Sequence, residues 1–149
     1  MKVDVKIEQD LKQPYAVVYT SVLTPDLLMV IELLENAGEV RSDVITGKQN
    51  DRVFILEAKN IEMIRAEGKE IAVYDTKGVR YQSTKRIYEL ESSLGPDFIR
   101  ISKSALVNLK RIDHVDVGFG GALDLVMKNQ IHEYISRRFV AAFKKRLGL

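Results

Sequence analysis

Residues 98–112 read FIRISKSALVNLKRI. Four cations, Arg100, Lys103, Lys110 and Arg111, are interleaved here with apolar residues that can anchor them. Arg100, Ser102 and Ser104 fall two apart, so an extended backbone places them on one face and Ile99 and Ile101 on the other. Ser102-Lys103-Ser104 forms a polar knuckle that leads straight into Ala105-Leu106-Val107. A turn that holds cationic and hydroxyl side chains on a buried scaffold suits contact with phosphates and base edges. An ordinary strand and loop with a solvated rim has the same spacing, so the rest of the chain decides between them.

The chain has 149 residues, 30% of them charged and 46% hydrophobic, a composition ordinary for a globular domain. It contains no cysteine, which excludes disulfides, thiol nucleophiles and Cys-based zinc sites. No apolar run approaches the ~20 residues needed to span a bilayer, and MKVDVKIEQD lacks the apolar core of a signal peptide. A cytoplasmic protein is expected. The net charge is only +2, but it is unevenly placed: residues 1–97 hold 13 Lys/Arg against 17 Asp/Glu, and residues 98–149 hold 10 against 4. A basic C-terminal half points to an anionic partner, most often nucleic acid.

The pattern predicts an α+β fold, mostly antiparallel strands with short helices, preceded by a small β-β-α segment. Strands are expected at residues 3–7 and 16–19, with Pro14 between them. Thr24-Pro25-Asp26 has the chemistry of a helix start, and Ala37-Gly38 that of a stop. Residues 41–51 read as a polar connector with a turn at Gly47-Lys48-Gln49-Asn50. Strands follow at 52–56, 61–65, 70–74 and 79–82, with turns at Ala66-Glu67-Gly68 and Thr76-Lys77-Gly78. Ser83 or Thr84 is expected to cap a helix over 85–94, with Ile87, Leu90 and Leu94 as its apolar stripe. A hairpin over 112–117 and 122–127 turns at Gly118-Phe119-Gly120-Gly121. A strand over 131–135 then leads to Ser136, the expected cap of a last helix that buries Phe139, Val140, Phe143 and Leu147.

Residues 98–109 and Ile112, together with Ile135-Ser136-Arg137-Arg138-Phe139, resemble the LytTR family of bacterial DNA-binding domains. The strand, turn and strand from Ile61 to Tyr74 and the helix carrying Leu90 fall in the same order. The resemblance covers about residues 45–149. It implies a DNA-binding domain over 46–149; residues 1–45, a unit too small to be stable alone, need a packing partner and are expected to serve dimerisation or regulation. It also implies a non-enzymatic transcriptional regulator that inserts loops, rather than a recognition helix, into successive major grooves of double-stranded DNA. The implied DNA-binding residues are Lys69 in the first loop, Arg100, Ser102 and Lys103 in the second, and Arg137 and Arg138 at the start of the last helix. A homodimer is expected, and small members of the family are often controlled by a membrane-protein partner. No cofactor, metal or small-molecule substrate is expected.

The sequence departs from the family pattern in two ways. The family often carries a phosphoacceptor receiver domain ahead of this one, and the roughly 45 preceding residues are too few for it. The family also often has His or Arg where this chain has Ser102 and Lys103, and Glu67 and Glu70 flank Lys69, where they would oppose a phosphate.

Other signals have plainer readings. His114 and His132 sit in hairpin strands and make a poor metal site. Asp113, Asp116 and Asp124 read as solvated or turn-stabilising. The Gly118–Gly121 segment lacks the Lys-Ser/Thr of a phosphate loop. Asn108 reads as a structural anchor for neighbouring backbone. Lys144, Lys145 and Arg146 suit the C-terminal dipole of the last helix. The rival to DNA binding is a basic β-rich module that takes an acidic protein partner.

Overall fold

The computed structural model describes residues 2–10, 15–35 and 43–149. The chain divides into two units, Met1–Glu39 and Val40–Leu149. In the first, α1 (Pro25–Glu35) starts as its sequence predicts. The Thr24 hydroxyl accepts the Leu27 N–H at 3.2 Å, and the Thr24 carbonyl accepts the Leu28 N–H at 3.0 Å. Leu27 alone is buried along this helix. The strands expected at 3–7 and 16–19 do not form; both segments are exposed and lie in no sheet. Two short strands without a third partner or a covering helix gain too little burial to offset backbone entropy. Pro14 and the Ala37-Gly38 stop lie outside the described residues.

The second unit opens with β1 (Val44–Gln49) and β2 (Arg52–Glu57). Residues 44–49 were expected to be connector and turn; they are strand instead, and the turn falls at Asn50-Asp51, both with positive φ. Two such residues in succession give the tight hairpin turn that matches strand twist. Gly47 has a packing role. A Cβ there would stand 2.7 Å from Tyr81 Cβ and 2.8 Å from Leu56 Cδ1.

Next come β3 (Ile61–Glu67), β4 (Glu70–Asp75), β5 (Arg80–Ser83) and α2 (Ile87–Leu94). β6 (Phe98–Ser102) and β7 (Ala105–Asn108) complete a seven-stranded antiparallel sheet in the order β2-β1-β5-β4-β3-β7-β6. β8 (Ile112–Val117), β9 (Leu123–Met127) and β10 (His132–Tyr134) form a second sheet, and α3 (Arg137–Leu147) ends the fold.

Two cores lie on opposite faces of the large sheet. On one face, Ile87, Leu90 and Leu94 of α2 pack with Ile45, Ile64, Val73, Phe98 and Leu106. On the other, Met63, Ile101 and Val107 meet Leu125 and Met127 of the small sheet and Phe143 of α3. β3 and β7 are therefore covered on both sides. That accounts for the unbroken burial of residues 61–64 and 105–108 in place of alternation. Asn108 serves as the expected anchor: its Nδ2 donates to the Ile61 carbonyl at 2.9 Å and its Oδ1 accepts the Lys110 N–H at 3.1 Å.

Details at the helix ends differ from expectation. α2 begins at Ile87, and its start is closed by the Glu89 carboxylate, which accepts the Arg86 N–H at 2.8 Å. Ser83 instead supports the approach, its hydroxyl accepting the Lys85 N–H at 3.1 Å. Ser136 precedes α3 without a side-chain cap bond. Leu147 is 39% exposed and takes no part in the buried face. The Gly118–Gly121 hairpin tip forms as expected, with Phe119 fully exposed.

Candidate nucleic-acid interface

Three turns meet at one end of the second unit. The first joins β3 to β4. The strand continues through Glu67, so the turn is Gly68-Lys69, not 66–68, and Gly68 takes the left-handed conformation that favours glycine. The second, Lys103-Ser104, joins β6 to β7. The third is the entry to α3, at Ser136-Arg137-Arg138. Backbone hydrogen bonds stitch them together: the Ala66 N–H donates to the Ser104 carbonyl at 2.8 Å, and the Ser136 N–H to the Ile101 carbonyl at 2.9 Å. The Thr76-Lys77 turn and the Lys128–Gln130 turn lie at the other end of the unit, joined by Asn129 Nδ2 to the Asp75 carbonyl at 3.4 Å.

Lys69, Lys103, Arg137 and Arg138 are exposed. None has an acidic partner among the described residues. Arg100 is placed differently. Its Nη1 pairs with Glu91 at 2.7 Å, its Nε donates to the Ser102 carbonyl at 2.9 Å, and its Nη2 donates to the Lys103 carbonyl at 2.7 Å. Ser102 is 9% exposed, and its hydroxyl accepts the Ser104 N–H at 3.1 Å. The alternation expected from spacing breaks at a bulge between Arg100 and Ser102, so Ile101 and Ser102 are both buried.

The acids beside Lys69 are already paired. Glu67 accepts from Arg65 Nε at 2.8 Å, Arg80 Nε at 3.0 Å and the Tyr74 hydroxyl. Its pKa is lowered to about 2, by the Tyr74 hydrogen bond first and then, against the opposing effect of burial, by Arg65 and Arg80. Arg80 Nη2 also binds Glu70 at 2.9 Å, and Arg65 Nη1 reaches Glu133 of β10 at 3.2 Å. The guanidinium of Arg65 lies over the Tyr74 ring, 5.1 Å from its centroid. These acids draw cations of their own scaffold and bind the two sheets together beneath the first turn.

Sequence reasoning missed two features. Lys85 and Arg86, expected only as the first residues of a helix, line a cleft of about 670 Å³ with Lys69, Arg100 and Lys103. Their adjacency and the β4–β5 hairpin before them were visible in sequence, but the long-range pairing of β3 with β7 that brings the Lys103 turn beside them was not. Glu62 is fully buried, its oxygens accepting from Arg111 Nε and from the Asn129 N–H, each at 2.7 Å.

His114 lies on the surface of β8, its Nδ1 2.7 Å from Asp113 and its Nε2 3.6 Å from Asp116, and the Asp113 hydrogen bond raises its pKa. Among the described residues no group of three His, Cys, Asp or Glu side chains is placed to hold a metal ion, and no helix is long and apolar enough to cross a membrane.

Comparison with known proteins agrees with this fold. The chain is 24% identical, over its full length and 99% of the relative's, to an uncharacterized HTH-type transcriptional regulator of Staphylococcus aureus (strain MRSA252). A similarly described protein of strain MSSA476 is 28% identical over 109 residues, 73% of this chain and 74% of its own. In this chain, strands separate every pair of helices among the described residues, so no helix-turn-helix is formed there. A LytTr DNA-binding domain from Bacillus cereus shares the fold, with a TM-score of 0.68 at 24% identity, over 72% of this chain and 99% of that one. The family model for the LytTr DNA-binding domain matches residues 51–148. With two antiparallel sheets and three short α-helices among the described residues, and this match over most of its length, the chain belongs to the LytTR family of DNA-binding domains.

Proposed function

We propose that this protein is a transcriptional regulator that binds specific sequences in double-stranded DNA by inserting turns into successive major grooves. The observation that carries this reading is the set of three cation-tipped turns stitched side by side by backbone hydrogen bonds, with Lys69, Lys103, Arg137 and Arg138 lacking acidic partners among the described residues. Lys103 is the reader of the central turn. Arg100 and Ser102 hold that turn in shape, since their polar atoms bind its own backbone. Arg137 and Arg138 stand at the N-terminus of α3, where the helix dipole opposes cations and an incoming phosphate relieves the conflict. Arginine there can also address guanine O6 and N7 bidentately. The S. aureus relatives, described as transcriptional regulators, support the same reading.

Residues 1–45 are assigned to pairing two copies. Val3, Val5, Ile7, Tyr19, Met29 and Leu33 are all exposed, and so small a unit needs a packing partner.

Selection of duplexes from a random pool by the purified protein tests the proposal. Enrichment of two half-sites spaced by about one helical turn, or a multiple of it, is expected. With about 5 phosphates neutralised, log affinity should fall against log salt with a slope near −4.5. Absence of enrichment, or binding indifferent to salt, overturns the reading and leaves the acidic protein partner as the alternative.

A further inference from the structure

The cleft lined by Lys69, Lys85, Arg86, Arg100 and Lys103 draws on three separate segments: the β3–β4 turn, the β5–α2 connection and the β6–β7 turn. Its cations are not equivalent. Arg100 is neutralised by Glu91 and bound to two carbonyls. Lys69, Lys85, Arg86 and Lys103 have no acidic partner among the described residues. The one carboxylate lining the cleft, Glu70, is held by Arg80 Nη2 at 2.9 Å. The Glu89 carboxylate next to Arg86 is turned to the Arg86 backbone N–H. Four unpaired cations around one concave surface repel one another unless an anion enters.

The local backbone fits the same role. The Ser83 hydroxyl fixes the Lys85 N–H, and Glu89 fixes the Arg86 N–H. Both cationic side chains therefore project from a braced segment, next to a helix anchored by Ile87 and Leu90 in the core. A phosphate contact made from a fixed backbone costs less ordering than one made from a loose loop.

We propose that this cleft seats a backbone phosphate of duplex DNA, gripped by Lys85 and Arg86, on the flank of the groove that Lys103 enters. The inference rests on the DNA-binding reading above and adds to it a fourth contact segment. It also assigns a division of labour: Lys103 contributes to sequence preference, whereas Lys85 and Arg86 contribute affinity that ignores sequence.

The test compares the full-length wild type, K85Q/R86Q and the charge-matched control K77Q/K128Q, whose substitutions sit at the opposite end of the unit. Fluorescence anisotropy is read on a duplex selected from a random pool and on a scrambled duplex of equal length, from low to high salt. K85Q/R86Q should weaken binding to both duplexes by about the same factor and make the salt slope shallower by about 0.9, one phosphate's worth. The control should keep the wild-type slope. Thermal melting should be unchanged in both variants, since all four side chains are exposed. If the wild type binds and K85Q/R86Q retains its slope, or loses affinity only for the selected duplex, the phosphate seat is overturned and the DNA reading stands. If the wild type binds neither duplex, both fall together.

Discussion

Arg100 has the side-chain type of a DNA reader and the geometry of a brace. Each of its guanidinium nitrogens is engaged within the fold, two of them on carbonyls of the turn that carries Lys103. Arg100→Ala should therefore lower folding stability by about 1.5–3 kcal/mol in urea melts, the range for hydrogen bonds to a charged group. Lys103→Ala, at an exposed tip, should leave stability within about 0.5 kcal/mol and weaken DNA binding. Equal stability of the two variants would contradict this assignment. Glu62 is an anchor within the fold. Fully buried and bonded by both oxygens, it should cost about 3 kcal/mol when replaced by alanine, because Arg111 and the Asn129 N–H then lose their acceptor. Chemical denaturation measures that loss directly.

At the scale of elements, the stem beneath Lys69 is pH-sensitive in a defined direction. Glu67 has a folded-state pKa of about 2, below its ordinary value of 4.5. The stabilisation it supplies is complete above about pH 4.5 and is lost as pH falls toward 2. After discounting for partial exposure, that loss is on the order of 2 kcal/mol. Urea melts between pH 7 and pH 2.5 should show wild type losing stability in this window faster than Glu67→Gln; parallel curves would rule the network out as the cause. In β1, Gly47→Ala should destabilise by about 1–3 kcal/mol, since a methyl there meets Tyr81 and Leu56.

The elements that sequence predicts well are those whose signal is local. The stripe Ile87, Leu90, Leu94 falls on the buried face of α2, and the glycine-tipped hairpin of β8 and β9 forms where the spacing puts it. β1 was missed because Gly47, Lys48 and Gln49 carry turn chemistry, while the need for a glycine comes from Tyr81, a strand away. The strands expected at 3–7 and 16–19 show the converse: residues 3–7 alternate and residues 16–19 are a short apolar run, but no ladder forms to use them. At the interface, the tip residues Lys69, Lys103, Arg137 and Arg138 were legible as cations in polar turns. The burial of Ser102 depends on a bulge, and the meeting of Lys85 and Arg86 with Lys103 depends on the long-range pairing of β3 with β7, neither of which spacing encodes.

For the whole molecule, residues 1–45 and the DNA-binding domain raise separate questions. If the exposed apolar residues of α1 pair two copies, Met29→Glu combined with Leu33→Glu should convert a dimer to a monomer in sedimentation velocity. DNA affinity should fall as the second half-site is lost. A mass unchanged by the double substitution would remove this helix from the interface. Within the DNA-binding domain, β3 and β7 are covered on both faces, and the turns that bear Lys69 and Lys103 open directly from them. The tips themselves make no side-chain contribution to either core. Roots and tips are thereby under different constraints over evolutionary time. If the tips read DNA as proposed, substitutions at 69, 103 and 138 change which operator is chosen without touching the packing, and a lineage acquires new target genes while the scaffold stays the same.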